Sequence, residues 1–100
     1  MIAIVDYGMG NLGSIRNMLM HLGVDSEITC DPERIAAARK LILPGVGAFD
    51  RAMTNLEERG LIPVLNRDVL ERGKPVLGIC LGMQLLSRRS EEGTLPGLGW

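Results

Sequence analysis

Three short apolar runs, at residues 2–5, 41–43 and 76–79, and a weaker strand signal at 24–29 each end in a turn and give way to a segment with helical periodicity. That alternation constrains the fold more than any other property of the sequence. Strands that alternate with helices build a parallel sheet, and parallel strands covered on both faces read as near-continuous apolar runs. Ile2, Ala3, Ile4 and Val5 form such a run, whereas 24–29 is a weaker one. Leu12, Ile15, Leu19 and Leu22 recur at helical spacing, and Gly23 stops that helix. Asp31-Pro32 reads as an N-cap with proline at the first helical position, opening a short helix through Ala38. Leu41, Ile42 and Leu43 form a third strand, ended by Pro44-Gly45.

Phe49, Met53 and Leu56 share one face of the next helix, which Gly60 closes. Ile62, Leu65, Val69 and Leu70 mark another, beginning near Pro63 and capped by Gly73. The fourth strand, 76–79, leads into a helix from Leu81 to about Ser87. Beyond Ser90 the chain turns polar and Gly-rich, with no regular period. The expected fold is α/β: an open, doubly wound parallel sheet with helices on both faces, one domain over residues 1–100. The sequence stops after a helix that would normally lead to another strand, so the expectation is the N-terminal half of a larger domain.

Apolar residues make up 46% of the 100, enough for a core, but only Tyr7, Phe49 and Trp100 are aromatic, so that core is aliphatic. A net charge of −1 provides no electrostatic footprint for nucleic acid or an anionic membrane surface. The first apolar run has no basic segment before it and is too short for a signal peptide or a membrane span. Two cysteines without a secretory signal point to free thiols in a reducing compartment, hence a cytoplasmic location. Neither a metal nor a cofactor is expected.

The strongest chemical signal is Gly78-Ile79-Cys80-Leu81-Gly82. Strand, then G-x-C-x-G, then helix is the cysteine form of the nucleophile elbow. A side chain on so sharp a turn sits in a strained backbone conformation, and its neighbours two residues away must lack bulk. The thiol then projects over a helix N-terminus, whose free N–H groups favour a thiolate. A buried structural cysteine in a tight turn is the plain alternative for such a motif. Cys30 fits that plain description, since it ends the weak second strand and has no glycines around it.

Acyl transfer through a thiolate creates a tetrahedral oxyanion, which needs fixed backbone donors in a dry site. Pro44-Gly45-Val46-Gly47 follows the third strand, and glycines let main-chain N–H groups turn inward. One expected donor lies in the Val46–Gly47 segment and the other is the N–H of Leu81. Taken alone, this loop is an ordinary Pro-Gly turn. It gains meaning if the third and fourth strands are neighbours, because both turns then open onto the carboxyl edge of the sheet. The first turn carries a rival signal: Gly8, Gly10 and Gly13 make a formal G-x-G-x-x-G, as in a dinucleotide-binding module. Asp6, Tyr7 and Met9 crowd the place that pyrophosphate would take, and Asp31 already has a local task as helix cap.

Four stretches together resemble the glutaminase subunit of imidazole glycerol phosphate synthase, a class I glutamine amidotransferase. They are Val5-Asp6-Tyr7-Gly8-Met9-Gly10-Asn11, Leu43-Pro44-Gly45-Val46-Gly47-Ala48-Phe49, Gly78-Ile79-Cys80-Leu81-Gly82-Met83-Gln84 and Pro96-Gly97-Leu98-Gly99-Trp100. The resemblance implies a flavodoxin-like sheet and hydrolysis of glutamine through a γ-glutamyl thioester on Cys80. It implies delivery of ammonia to a (β/α)8-barrel cyclase subunit, in histidine biosynthesis. It also implies that Gly45 and Gln84 contact glutamine, that Glu92 holds its α-amino group, and that Asn11 lies near the cyclase interface. From residue type alone, Gln84 is an exposed helix residue, Glu92 a loop acid and Asn11 an N-cap. A different cysteine hydrolase of the same elbow type and the dinucleotide module stay open.

The triad that the resemblance implies needs a histidine base and an acid to orient it, both well beyond Cys80. The one histidine of the sequence, His21, ends the first helix, roughly 15 Å from the sheet's carboxyl edge at 1.5 Å per residue. There it is suited to complement the helix C-terminal dipole. This chain alone is therefore expected to lack useful glutaminase turnover.

Overall fold

The computed structural model describes residues 1–88, 93 and 95–100. β1 (Ile2–Val5), β2 (Ser26–Thr29), β3 (Lys40–Leu43) and β4 (Val76–Gly78) form one parallel sheet in the order β2-β1-β3-β4. Ile4 pairs with Ile28 on one side and Ile42 on the other, and Ile42 pairs with Leu77. The strand order reverses direction between β1 and β3. In open α/β sheets that reversal opens a crevice at the carboxyl ends of the strands, where ligands bind.

Alternation along the strands divides the apolar residues between two faces. Ala3, Val5, Leu41 and Leu43 join one core cluster with Ile35 of α2 (Pro32–Ala37), Phe49, Ala52, Met53 and Leu56 of α3 (Phe49–Glu58), Leu61 and Leu65 of α4 (Leu61–Asn66), and Leu81 and Leu85 of α5 (Leu81–Leu85). The predicted stripe of Phe49, Met53 and Leu56 is fully inside. The other face carries α1 (Leu12–His21), whose Leu19 lines an apolar groove with Ile2, Ile42 and Leu77. No residue of α1 is fully buried, and Leu22, expected on its packed stripe, is 69% exposed. The stripe is half-buried because α1 has only one layer to pack against.

The caps follow the sequence. Asp31 Oδ1 accepts from the Glu33 N–H at 3.0 Å, with Pro32 at the first helical position. Arg34 in α2 reaches back to Glu27 of β2 at 2.8 Å, and that hydrogen bond holds the Glu27 carboxyl below its ordinary range. A depressed carboxyl stabilises the fold above its unfolded titration range, and the contribution fades as acid titrates it. Being exposed, the pair contributes little.

One segment departs from the expected helix. After α4 the chain widens into a π-helical turn, Arg67–Glu71, closed by the Arg72 N–H on the Arg67 carbonyl at 3.1 Å. The wider turn changes which side chains face inward, so Asp68 is fully buried while Leu70 is 60% exposed. Asp68 is matched by Lys74 and Arg72, each at 3.4 Å. The Lys74 ammonium also donates to the carbonyls of Ile35 and Ala36 at 2.8 and 3.0 Å, tying α2 to the start of β4. Lys74→Met leaves a buried carboxylate facing only the half-exposed Arg72. We expect a loss of about 3 kcal/mol, read as a lower urea midpoint. Adding Asp68→Leu to that variant is expected to restore part of it, since the orphaned charge is then gone while the Ile35 and Ala36 carbonyls still lack the Lys74 donor.

No helix among the described residues is long and apolar enough to cross a membrane.

Candidate active site

Cys80 stands where β4 ends and α5 begins. With φ 54° and ψ −119° it is the one non-glycine residue at positive φ among those described. Strain of this kind persists only where the surroundings over-determine it. Here two glycines do so. A Cβ on Gly78 would lie 2.7 Å from the Met83 Cα and 2.8 Å from the Met83 nitrogen, so the first turn of α5 rests on the end of β4. A Cβ on Gly82 would strike the Leu43 carbonyl, so the same turn also rests on the end of β3. The Ile79 N–H donates to the Leu43 carbonyl at 3.1 Å and extends the pairing of β3 and β4 up to the elbow. The thiol is left exposed at the carboxyl edge of the sheet. Cys30 is likewise free and exposed, rather than the interior structural residue that its position suggests, and lies past the end of β2.

β3 and β4 are paired neighbours, which brings the Pro44–Gly47 loop beside the elbow. Gly45 is buried between them: its Cβ would lie 3.0 Å from the Gly82 nitrogen and 3.1 Å from the Leu81 Cβ. Val46 is 62% exposed, and Gly47 adopts φ 119°, a conformation that L side chains rarely take. The Leu81 N–H, expected as an oxyanion donor, donates instead to the Gly45 carbonyl at 3.0 Å. In this conformation that donor is occupied.

The first turn packs onto the same loop from the other side. A Cβ on Gly10 would sit 3.3 Å from the Gly45 nitrogen, and one on Gly47 would sit 3.0 Å from the Met9 Cε. Tyr7 donates its hydroxyl to the Pro44 carbonyl. Gly8, at φ 84°, faces the Arg59 guanidinium, which donates to the Asp6 carbonyl at 3.2 Å. Gly8 and Gly10 of the G-x-G-x-x-G match therefore accommodate protein. Gly13, which in a dinucleotide site permits close helix packing, has nothing within 4 Å of its Cβ position.

Gln84 is exposed, one helical turn after Cys80 in α5. Asn11 caps α1, accepting from the Ser14 N–H at 3.3 Å, and is exposed at the same edge. Glu92 lies outside the described residues. The segment 95–100, where the sequence shows no regular period, is anchored: Leu95 donates to Asp50 Oδ1 at 2.9 Å, and Leu98 and Trp100 donate to the carbonyls of Leu85 and Leu86 at 2.8 and 2.7 Å. Tyr7 is legible in the sequence only as bulk in the first turn. Its contact with Pro44 joins residues 37 apart, and no local pattern announces it.

A family model described as class-I glutamine amidotransferase matches residues 3–96. Imidazole glycerol phosphate synthase subunit HisH 2 of Methanococcus maripaludis is 63% identical over 100 residues, covering all of this chain and 50% of that protein. The subunit of the same name from Pseudomonas aeruginosa is 52% identical over 100 residues, again with 50% of its length covered. The chain spans about half the length of the curated relatives it matches. A crystal structure of a glutamine amidotransferase superposes with a TM-score of 0.78 at 23% identity, covering 97% of this chain and 51% of that one.

Proposed function

The chain belongs to the class-I glutamine amidotransferase family, and from that premise we propose that it carries the nucleophile half of a glutaminase subunit of imidazole glycerol phosphate synthase. The observation that carries the reading is Cys80 at positive φ on a glycine-flanked elbow, exposed beside a buried Gly45 loop. The Cys80 thiolate attacks the γ-carboxamide carbon of glutamine. The tetrahedral oxyanion is met by the Leu81 N–H and an N–H of the Val46–Gly47 segment, once the Gly45 carbonyl has released the former. Collapse expels ammonia, its extra proton returned by the histidine that the resemblance implies beyond Cys80, and leaves a γ-glutamyl thioester. Water then cleaves the thioester to glutamate and the free thiol.

Gly45, Gln84 and Glu92 serve glutamine in this proposal, with Glu92 holding the α-amino group. Asn11, on the exposed rim, faces a barrel-shaped cyclase that consumes the ammonia in histidine biosynthesis, in the cytoplasm. The names of the relatives and the resemblance in four separate stretches support that assignment.

The test is covalent capture with a chloroketone analogue of glutamine, read by peptide mass spectrometry. Modification at Cys80 and not at Cys30 is the expected pattern, although both thiols are exposed. Equal labelling of both would overturn Cys80 as a selective nucleophile, and no labelling together with measurable NAD binding would favour the dinucleotide module.

A further inference from the structure

Tyr7 heads the fully buried side chains by size, and its hydroxyl reaches the Pro44 carbonyl across the crevice between β1 and β3. Pro44 and Gly45 are themselves buried, so this carbonyl is sheltered from water and needs a protein donor. Burial also pushes the Tyr7 phenol up from its ordinary range, so it keeps the proton it donates.

The next carbonyl in the chain, that of Gly45, accepts from the Leu81 N–H at 3.0 Å. Two successive peptides of the loop are thus held from opposite sides, one by the first turn and one by the elbow. Gly45, between them, has no room for a methyl group, which would strike the Tyr7 oxygen. Freeing the Leu81 N–H requires the Gly45–Val46 peptide to rotate. If the preceding peptide moved with it, the whole loop would slide relative to Cys80.

We propose that Tyr7 is a positioning residue of the glutaminase site: its buried hydroxyl anchors the Pro44–Gly45 peptide, so that the loop pivots at Gly45 and keeps the Val46–Gly47 segment in register with Cys80. The proposal rests on the amidotransferase reading above. It assigns Tyr7 no contact with glutamine. Its effect therefore falls on transition-state geometry more than on substrate binding.

The experiment compares Tyr7→Phe, Gly45→Ala, the double variant and Cys80→Ala in the full-length protein with its synthase partner. It measures glutamate release and, separately, the rate at which iodoacetamide alkylates Cys80. Tyr7→Phe is expected to lower kcat about tenfold to a hundredfold, with KM within about threefold, as small misplacements at a reacting centre do. Alkylation forms no oxyanion, so its rate is expected to stay at the wild-type value. Gly45→Ala displaces the same hydroxyl, and the double variant is expected to be no worse than the poorer single one. Should Tyr7→Phe fail to accumulate, Tyr7→Met, which also lacks the hydroxyl, with the same split between kcat and alkylation carries the test. A wild-type kcat, losses that multiply in the double variant, or an alkylation rate that falls with kcat would overturn the role of Tyr7. Glutamate release surviving Cys80→Ala would instead overturn the amidotransferase reading itself.

Discussion

Assayed alone with glutamine, residues 1–100 are expected to show no useful turnover, with glutamate released on the order of a million-fold more slowly than by an intact amidotransferase. The elbow supplies a nucleophile, but a thiol that attacks an amide also needs a group to take its proton and return it to the leaving ammonia. His21 is the single histidine in these residues. It occupies the last turn of α1, exposed, just before the link that hydrogen-bonds Asp25 to Ile2 at the start of β1. Cys80 lies past the end of β4, and β4 runs parallel with β1 through β3. The two side chains thus sit at opposite ends of the sheet. A coupled assay for glutamate settles the matter, and turnover within about a hundredfold of an intact enzyme would mean that another group in this chain serves as base.

How much of the fold and the site is legible in the sequence depends on how local each cause is. β1 and β3 are readable because a parallel strand covered on both faces has an unbroken apolar signature, as Ile2 to Val5 and Leu41 to Leu43 do, whereas β2, at the sheet edge and half-buried throughout, is fainter. The Asp31-Pro32 cap and the strain at Cys80 are readable because each is set by residues within a turn. The bonds that decide chemistry are not local. Leu81 binds the Gly45 carbonyl, and Tyr7 the Pro44 carbonyl, only because β1, β3 and β4 end side by side. The π-helical turn hides for a different reason: Val69 and Leu70 fit an α-helical stripe on paper, and the partners that match the buried Asp68 carboxylate, Arg72 and Lys74, are visible only once the turn is formed. The glycines of the first turn are the right residue types for the wrong ligand, since the need for close approach is the same whether pyrophosphate or Pro44 is the neighbour.

Gly82→Ala is expected to cost about 3 kcal/mol or more and to disable the elbow as well. Overpacking a tight interior commonly costs 1–3 kcal/mol, by forcing side chains aside. At Gly82 no side chain is there to yield. The added methyl would meet the Leu43 carbonyl oxygen, with the Leu43 carbonyl carbon at 2.7 Å and the Pro44 carbon at 3.2 Å, all main-chain atoms of a buried strand end. Relief requires α5 to lift from the sheet. That strains the Ile79 bond to Leu43 and the Leu81 bond to Gly45, the two contacts that aim Cys80. Gly13→Ala is the matched control: it lies inside α1 with nothing within 4 Å of its Cβ position. Replacing this first-turn glycine by alanine is expected to stabilise by roughly 0.4–1 kcal/mol, chiefly by reducing the freedom of the unfolded chain. The two variants, compared by urea unfolding, therefore differ in sign. A Gly82→Ala protein as stable as the parent would show that α5 does not rest on the end of β3, and Cys80 would then lack the fixed bend on which its chemistry depends.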